Sequence, residues 1–164
     1  MNKAILTTLL LLLALALGAQ TGLYNVSYGA TKDEVISILE DQGLEVAEDN
    51  GTWVRMSNAG SVPLDSAELS FDENDYTLYQ WYLYFVPEED AEDFDVETYV
   101  FEALLDQHGE VYEWDDYLEE YYWYLDETHW IYTGYDWDYY GYWVSYESER
   151  PTETDDDDDY YEDE

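Results

Sequence analysis

Cysteine is absent from all 164 residues, so no disulfide can staple the fold and stability has to come from a packed core. Cationic side chains are almost absent too: 4 Lys and Arg stand against 42 Asp and Glu, for a formal net charge of −38. A field of that sign repels nucleic acid, anionic lipid and acidic glycans. It attracts cations and basic proteins, although high acid content also suits solubility in a salty habitat and by itself requires no partner. Several catalytic signatures are lacking. There is no Gly-x-Ser-x-Gly and no thiol nucleophile, and among so many carboxylates no pair stands out as a glycosidase pair. We therefore read the chain as non-enzymatic.

Long apolar runs are missing except at the start. MNKAILTTLLLLLALALGAQ has Lys3 in a short positive region, an apolar run over 5–17 and small residues at Gly18 and Ala19. The run is short of the roughly 20 residues a membrane span needs and has the form of a secretory signal peptide, expected over residues 1–19. No Cys lies near the expected cleavage site, so a lipid anchor is not expected there. The remainder is expected to be exported, to the periplasm or the extracellular space, without membrane insertion after cleavage. Charge divides it unevenly. Residues 20–87 hold 12 acids and two bases, whereas 88–149 hold 21 acids and no base. The segment 150–164, RPTETDDDDDYYEDE, can collapse on nothing apolar and is expected to be a disordered acidic tail.

Local signals define the elements. Thr31 followed by Glu34 makes a capping box ahead of Val35, Ile38 and Leu39, and Gly43 is placed to stop the helix, which is expected over 31–42. LEVAED and TWVRMS flank Asn50-Gly51, a strong short-range hairpin signal. AELSF and YTLYQWYLYF flank the turn formers 72–75 in a second hairpin. In its second arm Thr77, Tyr79, Trp81, Leu83 and Phe85 alternate with Tyr76, Leu78, Gln80, Tyr82 and Tyr84, and both sets are bulky. An acidic linker is expected over 87–95. A second helix follows, with Val96, Tyr99, Val100, Ala103 and Leu104 on one face and Gly109 at its end, and then strands to about residue 148.

The two halves resemble each other. A shift of 65 matches Val35 with Val100, Leu39 with Leu104 and Gln42 with Gln107. A shift of 61 matches Leu69 with Trp130, Trp81 with Tyr142, Leu83 with Val144 and Phe85 with Tyr146. We expect an α+β fold, with helices packed on one face of an antiparallel β-sheet. It would be built from two tandem α-β(4) units over 20–87 and 88–149.

The segment Gly29-Ala30-Thr31-Lys32-Asp33-Glu34-Val35, with Leu39 beyond it, resembles the helix opening of small outer-membrane assembly lipoproteins of the SmpA/OmlA type. It is also similar to that of the tandem-repeat beta-lactamase inhibitor proteins. Leu69-Ser70-Phe71-Asp72 before its hairpin fits the same pattern. The resemblance covers about a dozen residues closely and implies helices on an antiparallel sheet and a role in protein–protein binding. The lipid-attachment Cys of the assembly lipoproteins is missing, which sets this chain apart from that machinery. No binding residue carries over.

The most concentrated stretch is 119–149, where 13 of 31 residues are Tyr or Trp and none is Lys or Arg. Tyr and Trp favour strands and present rigid, amphipathic contact area. On pleated backbone one alternating set can form core and the other an outward platform kept in water by neighbouring carboxylates. Cross-strand ladders that only stabilise the sheet use the same residues, and which parity faces outward stays open. Trp123, Trp137, Tyr140, Tyr142 and Trp143 are the candidate binding residues. The candidate partner is a protein, with a basic one as the charge-complementary case. A carbohydrate stacked on the rings is the first alternative and calcium binding by an acidic surface the second. Asp72, Asn74 and Asp75 offer hard oxygen ligands in one turn, without the spacing of an EF-hand; no other cofactor is expected. His108 and His129, about twenty residues apart, are a weak zinc signal.

Overall fold

The computed structural model describes residues 21–58, 63–87, 95–138 and 140–149. The expected signal peptide and acidic tail, and most of the expected linker, lie outside the described residues. Two helices, α1 (Lys32–Glu40) and α2 (Val96–His108), accompany eight strands. These are β1 (Leu44–Asp49), β2 (Trp53–Asn58), β3 (Leu64–Phe71), β4 (Leu78–Phe85), β5 (Glu113–Asp115), β6 (Glu120–Tyr124), β7 (His129–Asp136) and β8 (Gly141–Ser148). Every strand pairing is antiparallel, in one sheet of order β1-β2-β3-β4-β8-β7-β6-β5. The chain is thus α+β and mostly sheet.

Each element starts and stops where local chemistry dictates. The Glu34 carboxylate accepts hydrogen bonds from the Thr31 N–H (2.9 Å) and hydroxyl (2.7 Å) and opens α1; these bonds hold the Glu34 carboxyl below its ordinary range. Asp95 opens α2 by accepting from the N–H groups of Glu97 and Thr98, and Gly109, at φ +83°, ends it. The first hairpin turns at Asn50-Gly51, with Asn50 Oδ1 accepting from the Trp53 N–H and Gly51 at φ +100°, where a Cβ would be strained. On α2 the buried stripe is Val96, Val100 and Leu104. Tyr99, expected with them, is exposed.

One buried cluster joins the sheet to the helices: Val35, Leu39, Val100 and Leu104 pack with residues of β1 to β4 and β6 to β8. Its largest members are Trp81, Trp123, Tyr142 and Tyr146. A buried ring of this kind removes about 200 Å² from water, worth about 5 kcal/mol before entropy is charged against it, which is how a chain without disulfides builds a core. At its centre Trp81 stacks on Tyr146 with centroids 4.4 Å apart and planes 9° from parallel. The segment 21–30 closes over this stack. The Leu23 N–H donates to the Tyr146 hydroxyl at 2.8 Å, the Tyr28 hydroxyl donates to the Glu147 carbonyl at 2.9 Å, and a Cβ on Gly22 would come within 2.7 Å of both rings.

Strict alternation along 76–85 fails at one place. The register steps from Ser70↔Gln80 to Phe71↔Leu78, which inserts Tyr79 as an extra residue. Such a bulge reverses the parity behind it, and Leu78, expected beside Tyr82, is buried in the core.

Candidate functional site

Cross-strand register assigns each side chain to a side of the sheet, because neighbours across a ladder share a face. One row runs Trp123, Ile131, Tyr146, Trp81, Leu69, Val54, and all six are buried. The adjacent row runs Tyr122, Tyr132, Ser145, Tyr82, Glu68, Arg55. It belongs to the opposite side, on which Gly134, Gly141 and Ser145 are the buried positions and the rest are half-buried or exposed. That side carries Tyr82, Tyr84, Tyr122, Tyr124, Trp130, Tyr132 and Trp143, together with Glu68, Glu113, Glu120, Asp136 and Glu147. Arg55 is its one cation among the described residues.

The rings on this side are organised. Tyr82 and Trp143 stack at 5.6 Å with planes 13° apart. The indole of Trp143 lies against Gly134, where an added Cβ would sit 3.2 Å from both Trp143 and Glu120. Strand-interior glycine is otherwise unfavourable; here it makes room for the indole. Tyr122 and Tyr132 are cross-strand partners with centroids 6.3 Å apart. The Glu147 carboxylate accepts from the Ser145 hydroxyl at 2.9 Å and from Trp130 Nε1 at 3.4 Å. Tyr122 donates to Glu113 at 2.7 Å, which keeps its phenol protonated to about 12.

Carboxylates crowd these rings. Burial first, and then the nearby charges of Asp136, Glu68 and Glu120, push the Tyr82 phenol well above its ordinary value. Burial, reinforced by Asp115 and Glu147, raises the Glu120 carboxyl. A depression of about 450 Å³ lies at one end of this side, lined by Arg55, Ser57, Asp65, Ser66, Glu68, Tyr82, Tyr84 and Asp136. Tyr84 lies over Gly141, where a Cβ would fall 2.3 Å from its hydroxyl oxygen.

The five residues singled out from sequence divide three ways. Trp143 is on the half-exposed aromatic side. Trp137 and Tyr140 stand in the β7–β8 turn, 71% and 69% exposed; Trp137 packs edge-on against Tyr135. Trp123 and Tyr142 are corrections, each only 1% exposed. Trp123 Nε1 donates to the Gly109 carbonyl at 3.0 Å and its ring packs on Phe101 of α2. Tyr142 is the cross-strand partner of Phe85 in the core. Neither can touch a partner on the aromatic side. Sequence reasoning missed Tyr82, Tyr84, Tyr122, Trp130 and Tyr132. A signal exists for those on β6 and β7: there, as on β8, the outward rings share parity with acids (Glu120 with Tyr122, Asp136 with Tyr132, Glu147 with Trp143), and inward positions of β7 and β8 carry aliphatics (Ile131, Val144); β4 has no acid, so Tyr82 and Tyr84 had no such signal.

In the β3–β4 turn, Asp72 Oδ1 accepts from the Asn74 N–H and Asp75 Oδ1 from the Thr77 N–H and hydroxyl, so these carboxylates shape the turn. Among the described residues no cluster of three His, Cys, Asp or Glu side chains has metal-binding geometry. His129 Nδ1 lies 2.8 Å from Asp126 Oδ1. His108 lies 3.2 Å from the Tyr146 hydroxyl, and burial lowers its pKa to about 4. Comparison with protein-family models, with curated proteins and with solved structures found no match.

Proposed function

We propose that this chain is an exported, non-catalytic binding protein that takes a protein partner on the aromatic, acidic side of its sheet. One observation carries the proposal: the side opposite the buried row is filled with ordered rings that the core does not consume, and carboxylates flank them. Rigid aromatic area inside a polar surround is the composition of binding hot spots. The architecture fits that role if the chain is a duplicated α-β(4) unit with both helices on the core side of the sheet, which leaves the other side free. Helix placement is supported by Phe101 packing against Tyr121 and Trp123. Duplication is supported at the junction, where Trp81, Leu83 and Phe85 pair with Tyr146, Val144 and Tyr142. A shift of 61 turns the first trio into the second, as a two-fold relation between β4 and β8 requires. The match of Leu69 with Trp130 does not extend it. Leu69 lies opposite Trp81 and Tyr135 opposite Tyr142, so the second hairpin closes five residues sooner and Leu69 corresponds to Tyr135.

The test is capture of a partner from the native envelope by immobilised wild type, Trp143→Ala and, as a control on α1, Glu40→Ala. Recovery at low salt that is lost at high salt and on Trp143→Ala, but kept by Glu40→Ala, is the expected outcome. Equal recovery by wild type and Trp143→Ala would reject the aromatic side as the binding surface.

A further inference from the structure

Resting on that reading, we propose that the depression at the Arg55–Asp136 end of the open side is the seat of an extended, arginine-bearing segment of the partner. Asp65, Glu68 and Asp136 would serve as its counter-charges, with the rings of Tyr82 and Tyr84 as its walls. The depression crosses β2, β3, β4 and the end of β7. With strands about 4.8 Å apart, four steps span roughly 19 Å, the reach of about six residues of extended chain.

Charge selects the occupant. Three carboxylates face a single guanidinium across this depression. Arg55 itself sits directly across the ladder from Glu68. Tyr82 feels Asp136, Glu68 and Glu120 together, and an incoming cation would relieve that crowding while lying against aromatic walls. Arginine suits such a seat better than lysine, because its planar head can bond carboxylates in pairs and stack on tyrosine. A neutral sugar would leave the excess negative charge of the seat unneutralised, and a second copy of this chain would bring like charge.

The probe is a six-residue peptide alternating arginine and serine, titrated into the isotopically labelled full chain and followed by NMR at 50 mM and 500 mM salt. Expected are shifts centred on Arg55, Tyr84 and Asp136. Asp136→Asn and Glu68→Gln should each weaken binding by about threefold to fivefold, Arg55→Gln should strengthen it by a similar factor, and Glu40→Gln on α1 should change it less than twofold. Equal effects of all four variants would reduce the interaction to the general field of the protein and overturn the seat. Shifts confined to Tyr122, Trp130 and Tyr132 would also overturn it while leaving the aromatic side as the binding surface. Shifts absent from the whole open side, in a parallel titration that also leaves it unperturbed by the captured partner, would remove both. A serine-glycine peptide binding equally well would overturn the charge selection.

Discussion

Replacing Tyr146 by Phe should destabilise the protein by about 2–4 kcal/mol through the loss of a single oxygen. Tyr146 is fully buried and its hydroxyl serves two partners. The Leu23 N–H can only donate, so it uses an acceptor site of the hydroxyl at 2.8 Å. That leaves the phenolic proton for His108 Nε2 at 3.2 Å, in keeping with an imidazole held neutral by burial. Phenylalanine keeps the stack on Trp81, so the change isolates the polar knot. It strands a buried backbone N–H, at a cost of about 1–3 kcal/mol, and removes a second hydrogen bond worth about 1 kcal/mol. In urea, with a slope of roughly 2 kcal/mol per molar, the midpoint should fall by about 1–2 M at unchanged slope. Hydrogen exchange at Leu23 should accelerate beyond the global change, because the variant frees the 21–30 segment first. A midpoint shift below about 0.3 M would refute the placement of that segment over the Trp81–Tyr146 stack.

Three further outcomes follow from the geometry. His108 carries a folded pKa of about 4 against about 6.5 unfolded, so between those values the unfolded chain binds the extra proton and stability falls as pH falls; from pH 7 to pH 5 this costs about 2 kcal/mol. His108→Asn should remove that part of the acid sensitivity in paired denaturation curves, and parallel pH profiles for variant and wild type would contradict the burial of the ring. Gly22→Ala should destabilise by about 1–3 kcal/mol through overpacking, because its Cβ would meet the stacked rings at 2.6 Å; a variant as stable as wild type would show that the rings can part. A double-mutant cycle on Tyr82→Ala and Trp143→Ala should give a coupling of about 0.5–1.5 kcal/mol for their stack, and strict additivity would mean that the rings do not touch in solution.

Elements with a local cause were legible in the sequence. The capping box at Thr31 and Glu34, the Asn50-Gly51 turn and the Gly109 stop each act within four residues, and each lies where its chemistry predicts. What could not be read locally was the parity of the aromatic strands. Trp123 and Trp143 are the same residue type on neighbouring stretches of tyrosine, yet one is sealed under Phe101 and the other stands outside against Tyr82. Tyr99 was misplaced for a related reason: on α2 the stripe at 96, 100 and 104 buries only small and medium residues, and a neighbour one position off it is left in water.

The acids resolve that ambiguity through their cost of burial. A carboxylate cannot enter an apolar core without a partner, and this chain has almost no cations to pair with it. In β6, β7 and β8 each Asp or Glu therefore pins its own parity to the outside, and with it the rings two or four residues away. Glu120 does so for Tyr122 and Tyr124, Asp136 for Tyr132, and Glu147 for Trp143. The same substitution of charge for lysine that makes the protein so acidic thus orders its aromatic surface, since an ion pair would have allowed the opposite parity. Exchanging Glu147 for Val should weaken this constraint and expose the consequence. If parity rests on the carboxylates, the variant should show increased near-ultraviolet heterogeneity and self-association, as the outward rings lose the charge that keeps them singly solvated. A variant that stays monomeric with an unchanged aromatic spectrum would place the ordering in core packing alone.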